Sequence, residues 1–315
     1  MKILTIGIDV SKSKLDLFTS ENKFTTIDND QSSIVSYCNK ILKSDLETKS
    51  SKVRIILEST GKYHRLAHRV LSSCGFEVMV VNPYRSRNFA RAMNLTCKTD
   101  KIDAKMLCAY GQTMQFNKTK EPNPEQELLL ELSQRKSQLQ GDLVRETNRL
   151  KVAHKALSCL VEQHINFLKQ QITLVEQELE TMVAKDSVLQ NKLEILTSTP
   201  GVGKALALTL LSCLPELGSV SRNQISALTG LAPINNDSGK SKGRRSIQKG
   251  RSKVRQSLYM PILSAIRSNS TIKKFYQHLK AQGKQGKVAI VACMRKLITI
   301  LNLMLKNNTK WEIAS

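Results

Sequence analysis

The chain has 315 residues, 40% of them hydrophobic, enough for two or three domains with real cores. No continuous apolar run reaches the ~18 residues of a membrane span, and seven scattered cysteines without CxxC or Cys/His spacing exclude a disulfide scaffold and a structural zinc site. The formal net charge is +23, and residues 197–315 hold twenty Lys/Arg against three acids (Glu216, Asp237, Glu312), an asymmetry that favours a polyanion partner, most often nucleic acid.

The start, MKILTIGIDVSKSK, reads as a strand and a turn, not as a signal peptide, and the chain reads as cytosolic. ILTIGID (3–9), KLDLFTS (14–20) and KFTTID (23–28) are short strand-like runs. QSSIVSYCNKILKS (31–44) is helical. VRIILES (53–59) has the composition of a buried strand. YHRLAHRVLSSCG (63–75) has helical spacing and a terminal glycine stop, and FEVMVVNP (76–83) is a strand closed by proline. The order β-β-β-α-β-α-β, then helices, predicts a mixed sheet with helices packed on it.

NKTKEPNPEQE (117–127) is a linker with two prolines. From Asp142 to Thr199 there is neither Gly nor Pro. Residues 168, 172, 175, 179 and 182 form an apolar seam on a long helix, and Leu139, Leu143, Leu150 and Leu157 suggest a second arm. The pattern fits a helical hairpin or coiled coil, either as an intramolecular pair or as a dimerisation arm. TPGVGKALALTLLSCL (199–214) is not a nucleotide loop, because Ser198 and Ala205 stand where that loop needs Gly and Ser/Thr. It reads as a turn between two helices, with N–H groups able to hold a phosphate. Helices over about 256–268, 271–281 and 286–306 close the chain.

Four carboxylates stand out in the first part. Asp9 ends the first apolar strand and Glu58 ends the fourth. Asp100 and Asp103 open a helix in CKTDKIDAKMLCAYG, with Thr99 as its cap, and their spacing of three puts them on one face. If strands one and four are neighbours, all four acids converge at one end of the sheet. Such crowding calls for a hard divalent cation with oxygen ligands, Mg²⁺ or Mn²⁺. Each acid alone has a plainer reading as a cap or a solvated charge.

In NNDSGKSKGRRSIQKGRSKVR (235–255), Ser238-Gly239 heads eight cations with no acid among them: Lys240, Lys242, Arg244, Arg245, Lys249, Arg251, Lys253 and Arg255. The arginines suit bidentate phosphate contact and the lysines add point charges. Gly239 and Gly243 allow close backbone approach to a phosphate. NNDSG is also ordinary turn composition, and Ser241 and Ser246 are rival hydroxyls. Aromatic residues are only 4%, so base stacking is not the expected mode of RNA recognition.

IGIDVSKSKLDLF, the Glu of LEST, KTDKIDA, PGVGKALALTLL and GLAPINNDSGKSKGRRSIQKG together resemble the DEDD transposases of the insertion sequence 110 family, bridge-RNA-guided recombinases. The resemblance spans nearly the whole chain and implies three regions. Residues 1–118 would be an α/β, ribonuclease-H-like (RuvC-like) domain carrying Asp9, Glu58, Asp100 and Asp103 as catalytic Mg²⁺ ligands. Residues 119–196 would be an α-helical coiled-coil dimerisation region. Residues 197–315 would be a mainly α-helical, basic transposase domain with Ser238 as nucleophile. The implied function is cutting and rejoining of DNA through a covalent phosphoserine intermediate. The implied partners are donor and target double-stranded DNA, a structured guide (bridge) RNA, and further copies of the chain: a dimer, and a tetramer when synapsed. No membrane partner is expected. The alternatives are a metal-dependent junction-resolving nuclease with water as nucleophile, which needs the acids but not Ser238, and a non-enzymatic nucleic-acid-binding protein.

Other residues receive plain readings. His64 and His68 form a surface pair, His154 and His164 are helix-face residues, the cysteines are small core fillers, and Trp311 anchors the tail.

Overall fold

The computed structural model describes residues 2–48, 51–95, 99–121, 123–235, 237–238, 241–243 and 245–312, with backbone alone for residues 2, 44–48, 51, 238, 241 and 242. The chain divides into two compact units, Met1–Asn123 and Pro124–Ser315.

The first unit runs β1 (Lys2–Val10), β2 (Lys14–Thr19), β3 (Phe24–Asp28), α1 (Gln31–Thr48), β4 (Ser51–Glu58), α2 (His64–Ser73), β5 (Glu77–Val81), α3 (Pro83–Ala92) and α4 (Asp100–Thr113). Its five strands form one mixed sheet in the order β3-β2-β1-β4-β5. β1 and β4 are parallel neighbours, as are β4 and β5, whereas β1–β2 and β2–β3 are antiparallel. The central strands read as unbroken apolar runs because both their faces are covered. Ile55 and Leu57 join Ile6, Ile8 and the α1–α2 residues Ile34, Cys38, Ala67 and Leu71 on one face. Ile56 turns to the other face, against Met106, Leu107 and Tyr110 of α4. Each such fully buried Ile or Leu contributes about 2 kcal/mol of apolar burial. β3, with Thr25 and Thr26, is the exposed edge.

Gly7 decides how close α4 comes. A Cβ there would sit 2.2 Å from both the Ala104 carbonyl oxygen and the Cys108 nitrogen. The helix backbone therefore rests directly on β1, and the first turn of α4 is held beside the C-terminal end of that strand.

The second unit holds α5 (Pro124–Val152), α6 (Lys155–Lys185), α7 (Ser187–Thr197), α8 (Lys204–Cys213), α9 (Arg222–Leu228), α10 (Ser252–Ser257), α11 (Tyr259–Ser268), α12 (Ser270–Ala281) and α13 (Gly286–Asn307). Two small ribbons, β6 (Pro233–Ile234) with β9 (Ser246–Ile247) and β7 (Asp237–Ser238) with β8 (Ser241–Lys242), lie between α9 and α10. α5 and α6 pack together as a helical hairpin. One core runs from Leu129, Leu179 and Val183 of that hairpin through α7 and α8 to Leu297, Ile298 and Leu301 of α13, so the helical middle and the basic last third share it.

The seam on α6 is realised unevenly: Leu168 and Leu179 are buried, while Val175 and Met182 are partly buried against the core. Leu139 is buried on α5, but Leu157 belongs to α6 and is 55% exposed, so it is not part of the second arm. The Gly- and Pro-free stretch breaks twice without either residue. His154 caps α6 through its ring nitrogen, which accepts from Ala156 N, and Asp186 caps α7 by accepting from Val188 and Leu189 N. His154 is thus a helix cap, not a face residue.

His68 is buried at 3% exposure, which corrects the surface reading of the His64/His68 pair: their helix lays it into the α1–α2 side of the sheet. Among the described cysteines, Cys38, Cys108, Cys213 and Cys293 are buried fillers, whereas Cys159 is exposed; Cys97 lies outside the described residues. Trp311 packs on the core, and its backbone N–H donates to Ser198 Oγ at 2.8 Å. Among the described helices, α13 alone is long and apolar enough to cross a membrane by length and composition. Its Cys293, Leu297, Ile298 and Leu301 are fully buried in the unit's core, and Arg295 and Lys296 interrupt it midway.

Candidate active site

The β1–β4 register, with Ile8 opposite Leu57, carries Asp9 and Glu58 to the same end of adjacent parallel strands. Thr99 Oγ1 accepts from Ile102 N at 3.3 Å and starts α4, placing Asp100 and Asp103 in its first turn. The helix dipole favours carboxylates there. The result is electrostatic crowding centred on Asp9. Burial raises its pKa to about 6, the negative charge of Asp103 adds to this, and those of Asp100 and Glu58 contribute less; the Val10 N–H, 3.0 Å from Oδ1, opposes the rise. Asp9, Glu58 and Asp103 are half-buried and Asp100 is exposed.

Ser86, which the sequence reading missed, completes this end of the sheet. It is fully buried in the first turn of α3, and its hydroxyl donates to Glu58 Oε2 at 2.5 Å. α3 begins where it does because Asn82 caps it and Pro83 follows. Nothing in the spacing of NPYRS points at a glutamate 28 residues upstream.

The donor set is all oxygen and mutually repelling, which fits a hard divalent cation in chemistry. Among the described residues, no three of these acids close into a group at metal-holding distance. The crowding around Asp9 is the feature that a cation would relieve.

Ser238 stands on the second unit's ribbon. The β7–β8 register sets Ser238 directly opposite Ser241 and Asp237 opposite Lys242; Gly239 and Lys240, between those strands, lie outside the described residues. Below it, Pro233 pairs with Ile247 and Ile234 with Ser246. The base is closed by two glycines. A Cβ on Gly250 would lie 2.2 Å from Gly230 N, and one on Gly230 would lie 2.2 Å from the Lys249 carbonyl oxygen; both have φ near +66°, at 67° and 65°. Leu228 O accepts from Arg251 N at 2.8 Å just beneath. The glycines of GLAP and QKG thus cross and anchor the loop bearing the serine.

The eight cations divide. Arg244 and Lys240 lie outside the described residues, as does the Lys242 side chain. Arg245 and Lys249 are exposed. Arg251, Lys253 and Arg255 bond within the unit. Arg251 donates to both Glu216 oxygens, at 2.5 and 2.6 Å, and although burial opposes it, this pairing holds the Glu216 pKa below its usual range. Lys253 Nζ donates to Ser133 O at 2.6 Å, and burial lowers its pKa. Arg255 donates to Lys249 O at 2.9 Å, which braces the glycine crossing.

An acid-lined sheet end and a strongly basic helical unit are the features of an enzyme that acts on nucleic acid. Comparison with known proteins agrees. Residues 6–157 match a family model described as transposase, and residues 193–277 match a model described as transposase of the IS116/IS110/IS902 family. The chain belongs to the IS110 family of transposases and is a DNA recombination enzyme. It is similar to the pilin gene-inverting proteins of Moraxella bovis and Moraxella lacunata, each 27% identical over 316 residues, covering 98% of this chain and 97% of the relative. It is also similar to an insertion element IS110 uncharacterized 43.6 kDa protein of Streptomyces coelicolor, 27% identical over 120 residues, covering 38% of this chain and 30% of that one.

Proposed function

We propose that the protein cuts and rejoins DNA through a covalent ester between Ser238 and a DNA phosphate, with a RuvC-like acidic site holding Mg²⁺ or Mn²⁺. The observation that carries the reading is Asp9, whose carboxyl is pushed to about 6 by burial and by Asp103, Asp100 and Glu58. Such crowding is costly for structure alone and useful for holding a cation. When bound, the ion would neutralise charge on the phosphoryl oxygens. Asp9, Glu58, Asp100 and Asp103 would hold it, with Glu58 oriented by Ser86.

In the proposed step, the Ser238 oxygen forms a bond to phosphorus as the bond from phosphorus to a deoxyribose oxygen breaks. The serine proton passes to the departing sugar oxygen. One phosphodiester replaces another of similar energy, so the strand can be rejoined to a new end without ATP. The basic side chains that head this segment would face the phosphates, a role proposed for Lys240, Lys242, Arg244, Arg245 and Lys249. Gene inversion, which the names of the Moraxella relatives state for those proteins, is a fitting outcome for such chemistry here.

Two further parts of the reading are proposals. A structured guide RNA, which the resemblance to the family implies, would supply sequence recognition, and the low aromatic content favours shape and backbone contacts to it over base stacking. A second copy would dock along the α5–α6 hairpin. Leu160, Phe167 and Leu174 are spaced by seven on α6 and are 63%, 53% and 55% exposed, an apolar seam left outside the core.

The experiment is a side-by-side assay of cleavage and joining by Asp103→Asn and Ser238→Ala. Loss of both activities in both variants supports the proposal. Cleavage by Ser238→Ala at wild-type rate would instead identify a nuclease that uses water.

A further inference from the structure

Three of the eight cations in residues 240–255 are spent on Glu216, Ser133 and the Lys249 carbonyl. Other cations without a carboxylate partner among the described residues gather beside and along α13. Three shallow grooves adjoin there. Arg222, Arg295 and Lys306 line the first, beside Phe275. Arg222 and Arg295 line the second, beside Ala232 and Pro233. Arg245, Lys284, Lys287 and Arg295 line the third. Among the described residues, no acid lines any of them. Arg295 borders all three and is half-buried, an unusual place for an unneutralised guanidinium.

The geometry of α13 makes this a strip. At 100° and 1.5 Å per residue, Lys287, Arg295 and Lys306 fall within about 100° of one another and span about 28 Å. That is close to one turn of duplex DNA, which carries a charge every ~1.7 Å of axis.

We propose that this strip, from Arg245 and Lys287 past Arg295 and Arg222 to Lys306, is a docking surface for the phosphate backbone of double-stranded DNA. It rests on the chain's being a DNA recombination enzyme, but not on the Ser238 or metal chemistry. The complementarity is of charge, so the strip reads no sequence and supplies affinity and orientation. Counter-charge from DNA replaces the acids that the strip lacks.

The test is binding of a labelled duplex by the full-length protein across a salt series. The variant combines Arg222→Gln, Lys287→Gln and Lys306→Gln, three exposed residues whose loss leaves the thermal midpoint unchanged. The slope of log affinity against log salt becomes shallower by about 3, and affinity falls on the order of a hundredfold at ~0.1 M salt. Lys306→Gln alone, a second probe if the triple variant misfolds, removes about one unit of slope. Lys310→Gln, which removes a cation paired with Glu194 outside the strip, leaves the slope as it was. A steep wild-type slope retained in the variants overturns the strip alone, as does a loss confined to structured RNA. A flat wild-type slope would instead sink duplex binding by the whole protein, while serine-adduct formation tests the chemistry separately.

Discussion

Ser86 Oγ donates to Glu58 Oε2 across 2.5 Å, from a position with no solvent exposure. This contact ties α3 to the end of β4 and fixes one oxygen of an acid in the candidate site. Removing the hydroxyl leaves that oxygen free to rotate. Ser86→Ala is expected to lower stability by about 1–2 kcal/mol and to reduce strand cleavage, with duplex DNA affinity unchanged. Thermal unfolding, cleavage kinetics and a binding isotherm check the three parts. A fall in DNA affinity equal to the fall in cleavage would assign Ser86 a purely structural role.

The crossing of Gly230 and Gly250 sets the base of the serine ribbon. Gly250→Ala places a methyl 2.2 Å from Gly230 N at a φ of 65°, with backbone and not a flexible side chain in the way. The ribbon must shift, while the α7–α8–α13 core stays intact. The expected result is loss of covalent adduct with Asp9-dependent metal binding preserved, measured by titration calorimetry with Mg²⁺. An unaffected adduct yield would show that the ribbon's base does not position Ser238.

Asp9 gives a pH signature. Its folded pKa of about 6 exceeds the usual 3.8, so between those values the folded state binds more protons than the unfolded. Stability therefore rises as pH falls from above 6 toward 4, and the penalty is fully present only above 6. Two pKa units correspond to about 3 kcal/mol, cut to roughly 1–2 by solvent screening of a partly exposed group. Unfolding midpoints of wild type and Asp9→Asn across this range, without divalent ions, isolate the effect. The Asp9 contribution is the difference between the two slopes, and that difference shrinks when Mg²⁺ is added to wild type. Identical slopes in the two proteins would contradict the crowding.

Much of this was legible in the chain. ILTIGID and VRIILES announce buried central strands because apolar residues fill both of their faces, and an acid ending each one marks a strand end. Asp100 and Asp103 follow from helix spacing and the Thr99 cap. The hidden parts depend on distant partners. Ser86 meets Glu58, and Arg251 meets Glu216, only after folding, across 28 and 35 residues. A charge count treats Arg251 and Arg245 alike, although among the described residues Arg251 has a carboxylate partner and Arg245 has none. His68 looked superficial because histidine is polar, yet its place on α2 faces inward. The α5–α6 boundary escaped detection because His154, not Gly or Pro, starts the second helix.

The central claim is that Ser238 becomes esterified to DNA. The direct measurement is mass spectrometry of peptides from reacted, nuclease-digested protein, after denaturing electrophoresis of the adduct formed with duplex substrate and Mg²⁺. The account predicts a nucleotide-bearing peptide with the modification on Ser238, absent from Ser238→Ala and from Asp9→Asn. A modification on Ser241 or Ser246, or an adduct that persists in Ser238→Ala, would contradict it.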